Sequence, residues 1–204
     1  VSKKKVIAGG HPIQSTGLTV PNQFTRLVFS FANGNTLYFN DVRKFGWVIL
    51  VTLEEFADMS NKVGLEPLGK DFTLDFFKNM LRRRSKTTIK AVLLDQKHLA
   101  GLGNIYVDEV LFRSGVRPSR IVSSLTNQEM KKIWQAIPVV LRHSIKERGT
   151  TFSNFIDASG LRGNFMKHVR VYGRGDQPCV VCGCPIRKTR VAGRGTHWCE
   201  KCQK

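Results

Sequence analysis

A chain of 204 residues can fold as one large or two small domains with a real core, and a hydrophobic share of 41% argues against disorder. The 33 Lys and Arg against 15 Asp and Glu leave a net charge of +18, an excess that points to a polyanionic partner, nucleic acid first and an acidic membrane surface second. No apolar run approaches the ~20 residues that cross a bilayer, and the apolar stretch after Val1-Ser2-Lys3-Lys4-Lys5 is too short for a signal peptide.

Up to about residue 66 the pattern is that of β structure. Thr25, Leu27, Phe29 and Phe31 alternate with Arg26, Val28 and Ser30, Asn33-Gly34 is a hairpin turn signal, and Thr36-Leu37-Tyr38-Phe39 returns. Gly46 to Val51 reads as a buried strand. Asn61 to Leu68, with Gly64 and Pro67, marks a boundary.

From about 67 to 158 the periodicity is helical. Leu74, Phe77 and Leu81 share a face, as do Ile89, Val92 and Leu93. Arg82, Arg83, Arg84, Lys86 and Lys90 then form either a phosphate-tracking stripe or a solvated face. Gly101-Leu102-Gly103-Asn104 precedes a helix from Ile105 to Ser114 that Asn104 would cap. Such a turn brings backbone and helix N-terminus close to a phosphate, or is a plain interhelical turn. Thr126 and Glu129 spell a capping box. Met130, Ile133, Trp134, Ile137, Leu141 and Ile145 follow on one stripe, with Pro138 expected to kink the helix and Gly149 to stop it.

From about 159 onward the chain is rich in Gly, Arg and Cys. All five cysteines fall here, a crowding that fits a metal site in a reducing cytosol better than a secreted disulfide scaffold. Cys179 and Cys182 form one C-x-x-C pair, Cys199 and Cys202 another, with sixteen residues between. Four thiolates at tetrahedral corners suit Zn²⁺ and leave no open position, so one structural zinc is expected; redox cysteines are the alternative. Cys184 reads as a small buried residue outside the set. Arg187, Lys188, Arg190 and Arg194 make the hairpin basic, and a metal-clamped loop would let Arg194 press into a DNA groove.

Gln96 to Phe112 (QKHLAGLGNIYVDEVLF) resembles the helix–two-turns–helix motif of formamidopyrimidine-DNA glycosylases and endonuclease VIII. The cysteine segment ending Arg194 to Gln203 (RGTHWCEKCQ) resembles their zinc finger. Phe39 to Gly46 (FNDVRKFG) is similar to the family's D-P-R-R-F-G loop, and Leu65 to Leu68 to its boundary motif. The resemblance runs from about residue 20 to the C-terminus and favours the formamidopyrimidine branch.

The resemblance implies an α+β chain. Residues 1–66 would be the remainder of an N-terminal β-sandwich catalytic domain, 67–158 a helix–two-turns–helix DNA-binding domain, and 159–204 a lesion loop and zinc finger. It also implies base-excision repair by a bifunctional DNA glycosylase/AP lyase that removes oxidised purines from damaged double-stranded DNA. The damaged base is flipped out of the stack and cut by an N-terminal Pro amine with a Glu beside it. Position by position, Arg43 corresponds to the arginine at the orphaned base and Phe45 to the wedge that fills the stack. Without the family, these two read as a solvated arginine and a core Phe. Asn104 and Lys86 correspond to residues of the phosphate grip, with Lys90 of the basic stripe expected to bind DNA beside them, and Arg194 to the arginine that binds lesion-flanking phosphates and donates a proton in the final elimination. Cys179, Cys182, Cys199 and Cys202 are the zinc ligands. Thr150-Thr151 and Ala158 to Lys167 correspond to the region near the flipped base.

Several positions depart from the family. Phe24 stands where a DNA-contacting His is usual, Val42 replaces a Pro, Cys184 falls on a small-residue position and Trp198 replaces Phe or Tyr. Val1-Ser2 does not supply the Pro-Glu pair, and the chain lacks an initiator Met. The expectation is therefore a C-terminal part, inactive alone, whose nucleophile lies upstream. The protein is expected to be a cytoplasmic monomer. Two other readings are a damaged-DNA binder that does not cut and a zinc-ribbon RNA-binding protein.

Overall fold

The computed structural model describes residues 19–60, 63–151 and 161–204. Part of the expected boundary at 61–62, and Ala158 to Gly160 of the stretch expected near the flipped base, lie outside the described residues.

Strands β1 (Thr25–Ser30) and β2 (Thr36–Asn40) pair antiparallel, Val28 opposite Tyr38 and Phe29 opposite Leu37. Gly34 of the expected turn takes φ +82°, a backbone conformation that favours glycine. No other strand pairs with this hairpin among the described residues. Two expectations fail here. Gly46 to Val51 is not a buried strand: no partner strand is assigned to it among the described residues, and Trp47, Val48, Ile49 and Leu50 are exposed. The next element is a helix, α1 (Leu53–Ser60), inside the zone that reads as β. Its start is chemically defined: the Glu55 amide donates to Thr52 Oγ1 (3.2 Å) and the Thr52 amide to Glu55 Oε2 (2.8 Å), a reciprocal box.

Helices α2 (Leu74–Arg82), α3 (Ile89–Leu94), α4 (Asn104–Ser114) and α5 (Asn127–Lys146) enclose the main core. Phe77, Leu81, Ile89, Leu93, Leu102, Leu111, Ile133 and Ile137 are fully buried in it. The stripe on α5 is as expected except at its end, where Ile145 is 63% exposed. Thr126 and Glu129 form the expected capping box. The helix runs on through Pro138 and stops before Gly149, whose φ is +81° and whose amide donates to the Ser144 carbonyl (2.7 Å). Thr73 caps α2 with its side chain alone, accepting from the Phe76 amide.

A smaller core joins α4 to the cysteine segment: Phe112 packs with Val171, Ile186, Cys179 and Cys199. Strands β3 (Ile186–Val191) and β4 (Arg194–Cys199) pair antiparallel through a two-residue turn, Ala192 at φ +51° and Gly193 at φ +71°. Two successive positive φ values are what a tight right-twisted hairpin needs.

Candidate nucleic-acid interface

Asn104 is the first residue of α4, and Gly103, not Asn104, is its N-cap. The difference matters, because an N-cap side chain is spent on its own helix whereas that of Asn104 is free to reach elsewhere. Its Nδ2 donates to the carbonyl of Gly195 (2.9 Å), the residue after Arg194 on the zinc hairpin. The glycine-rich turn and the hairpin tip are therefore in direct contact, with Arg194 exposed beside the junction.

Lys90 serves this junction from below. The sequence places it on an exposed basic stripe, yet it is fully buried. Its Nζ lies 2.6 Å from Asp108 Oδ1 and 3.3 Å from the Gly195 carbonyl. A phosphate contact by Lys90 is thus corrected to an internal one. Burial disfavours its charge and lowers its proton affinity, which the Asp108 carboxylate partly restores. The other Asp108 oxygen accepts from the His197 amide (2.9 Å). One buried carboxylate so joins α3, α4 and β4, and the cation it holds reaches the carbonyl that Asn104 also uses.

Glu109, the next residue, is buried as well and accepts from the amides of Arg170, Val171 and Tyr172 (2.8, 2.9 and 2.9 Å). Burial raises its pKa and those three donors work against the rise. Neither acid was singled out in the sequence. The available signal was an Asp-Glu pair set among Val107, Val110 and Leu111 in a chain poor in acids.

The remaining basic candidates face solvent. Lys86 lies in the turn between α2 and α3, beside Arg82, Arg83 and Arg84. Arg43 and Phe45 occupy an exposed loop organised by Asp41. Its Oδ1 accepts from the Arg43 and Lys44 amides (2.9 and 3.0 Å) and its Oδ2 from the Gly46 amide (2.6 Å). Lys44 sits at φ +55°, and a Cβ at Gly46 would lie 2.6 Å from Phe39 Cζ, so that ring would have to shift. The Arg43 guanidinium lies 4.7 Å from the Phe45 ring centroid, and that residue is 73% exposed. Phe45 is therefore not a core residue.

Thr150 and Thr151 lie just after α5. Tyr106 Oη and Thr150 Oγ1 are hydrogen-bonded (3.1 Å), and Thr151 Oγ1 accepts from the Gly163 amide (2.8 Å). Gly163 passes so close to Gly149 that a Cβ would stand 2.2 Å from the Gly149 carbonyl oxygen.

The thiols of Cys179, Cys182, Cys199 and Cys202 all lie within 4.8 Å of one another, with Sγ–Sγ separations of 3.9 Å for Cys179–Cys202 and 3.4 Å for Cys182–Cys199. Tetrahedral Zn–S bonds of ~2.3 Å require edges of ~3.8 Å, so the set fits one structural zinc. The Cys184 amide holds the Cys182 thiol down to about 6, whereas burial pushes Cys199 and Cys202 up. Cys184 stays outside the cluster. Trp198 is stacked by the Arg117 guanidinium at 4.8 Å, and Gln203, fully buried, accepts from the Cys199 amide and donates to the Val116 carbonyl.

Two family models match this chain: the formamidopyrimidine-DNA glycosylase H2TH domain over residues 63–155, and the zinc finger found in FPG and IleRS over residues 176–204. The formamidopyrimidine-DNA glycosylase of Pelotomaculum thermopropionicum is 40% identical over 197 residues, covering 96% of this chain and 71% of the relative. The chain belongs to the formamidopyrimidine-DNA glycosylase family. The formamidopyrimidine-DNA glycosylase of Herpetosiphon aurantiacus is 46% identical over 182 residues, 89% of this chain and 66% of the relative. The chain thus spans 66–71% of the length of these two family members. Among solved structures, the MutM (Fpg) protein of Thermus thermophilus superposes with a TM-score of 0.82 at 37% identity, covering 96% of this chain and 72% of that one. A Lactococcus lactis Fpg in complex with DNA containing an abasic site superposes with a TM-score of 0.82 at 35% identity, covering 91% and 68%.

Proposed function

We propose that this chain forms the damage-gripping part of a base-excision DNA glycosylase/AP lyase acting on oxidised purines in duplex DNA. The observation that carries the reading is the joint hold of Asn104 and Lys90 on the Gly195 carbonyl. It supports a composite phosphate clamp, in which the amides at the start of α4 and the Arg194 guanidinium act on one stretch of backbone. Lys86 extends the clamp electrostatically. Arg43 and Phe45, stiffened by Asp41, suit insertion beside an extruded base: the ring fills the stack, and the guanidinium offers donors to the base left opposite. Arg194 also suits the role of proton donor in the final elimination.

The charge of +18 agrees with a partner that is DNA, and none of the described helices is long and apolar enough to cross a membrane. A cytoplasmic location goes with that reading. The Lactococcus protein solved with abasic-site DNA supplies the probe. Affinity is measured for a duplex with one abasic site against the same duplex undamaged, across salt concentrations. Tighter binding to the abasic duplex is expected, and equal binding to both would overturn damage recognition. Borohydride trapping on the same duplex then separates the two remaining readings. A covalent adduct assigns the nucleophile to this chain and sinks the reading as recognition alone.

A further inference from the structure

A second cluster of metal-ligating side chains lies away from the cysteines, where the last turn of α5 meets the short helical turn Phe165–His168. His143 and Glu147 are four residues apart and share a helix face. His143 Nε2 lies 3.9 Å from Glu147 Oε1, and His168 Nε2 lies 3.4 Å from Glu147 Oε2. One ligand atom from each of the three residues lies within 4.8 Å of the other two.

The arrangement is held from outside. Buried Phe165 packs edge-on against the His143 ring at 5.4 Å, and the two imidazoles stand 4.7 Å apart. The Asn164 amide donates to the Glu147 carbonyl (2.8 Å) and the Phe165 amide to the Gly149 carbonyl (3.2 Å), so both segments are fixed before any ligand arrives. The side chains of His143, Glu147 and His168 are 44%, 23% and 41% exposed, open to an ion from solvent. Among the described residues, no Lys or Arg forms an ion pair with Glu147, although the chain has 33 of them.

We propose that His143 Nε2, a Glu147 carboxylate oxygen and His168 Nε2 form a second, three-ligand site for a divalent transition-metal ion. Bonds of ~2.0–2.2 Å to an ion at the centre place ligand atoms ~3.0–3.6 Å apart, so three atoms already within 4.8 Å of one another close onto an ion by small side-chain rotations. Two imidazoles and one carboxylate suit Zn²⁺, Co²⁺ or Ni²⁺; Mg²⁺ and Ca²⁺ want oxygen ligands. The four-thiolate set is softer and closed, so it fills first. The second site keeps at least one position for water, and its ion would clip the end of α5 to the segment that leads into the zinc hairpin.

The test uses the tag-free 204-residue chain carrying one equivalent of zinc on its cysteines, titrated with Co²⁺ and followed calorimetrically and by visible absorption. One further saturable equivalent is expected, and His143→Ala and His168→Ala should each weaken it by about tenfold or more while leaving the thiolate zinc in place. No further equivalent, or uptake indifferent to His168→Ala, would overturn the site. Should a variant fold poorly, nuclear magnetic resonance of the unmodified protein decides. Co²⁺ must shift the imidazole signals of His143 and His168; shifts confined to other histidines dispose of the proposal.

Discussion

The carboxylate of Asp41 is exposed, yet its pKa is held below the usual carboxylate range, first by the Gly46 amide and then by those of Arg43 and Lys44. Its pKa is lowered on folding, so its support for the loop is present above its ordinary value of 3.8 and is lost as pH falls through the lowered one. Asp41→Ala is expected to weaken binding to an abasic duplex while zinc content and melting temperature stay as they are. Anisotropy titration checks this, and unchanged affinity would detach Arg43 and Phe45 from the function proposed for them. Arg194→Ala belongs to the same scale: one phosphate contact fewer reduces the salt slope of binding by about one unit, and an unchanged slope would remove Arg194 from the clamp. Single side chains are also where sequence was least informative. Lys90 is spelled like its exposed neighbours, and what holds it inside is Asp108, 18 residues on. A tertiary partner at that distance leaves no local mark.

At the scale of elements, caps and stripes follow chemistry that a short window contains. Thr126 with Glu129 specifies its own helix start, and Thr126→Ala should cost about 1 kcal/mol in denaturant unfolding. The same spelling at Thr52 and Glu55 opens α1, overlooked because the surrounding Val and Phe residues read as strand. Gly46 to Val51 misleads for the complementary reason: a run of β-branched and aromatic residues describes what a pleated surface accepts, and no described strand offers one. Lys90 acts between elements. Lys90→Ala leaves Asp108 buried without its cation and should cost about 3–5 kcal/mol. Replacing both by apolar residues of similar size should cost less. Equal losses would mean that the pair itself stabilises the junction.

Across the whole molecule the cysteine segment buries little apolar mass: among the described residues, Ile186 and Val171 share a half-sulfur core with Phe112. Metal binding must hold it. Cys199→Ser, or chelation of the wild type, is expected to unfold residues 176–204 and to weaken DNA binding while the four-helix core keeps its helical circular dichroism. Loss of all helical signal with the metal would show that the two cores are one cooperative unit. The spacing of the cysteines made this segment legible from the chain alone. Its attachment was not, since Asn104, Asp108, Glu109 and Gln203 bind backbone atoms that any sequence would present.

The apolar run Trp47 to Leu50, with Leu53 and Phe56 on α1, has a colloidal consequence. These side chains are 51–101% exposed, more contiguous oil than a solitary particle comfortably shows to water. Mutual repulsion between bodies of charge +18 opposes their association, and salt shortens its reach from ~10 Å at ~0.1 M to ~3 Å at ~1 M. Stickiness and salinity should therefore rise together: light scattering ought to grow between those concentrations, and Leu50→Lys should flatten the growth. Scattering that falls with salt would mean that the strip is sheltered.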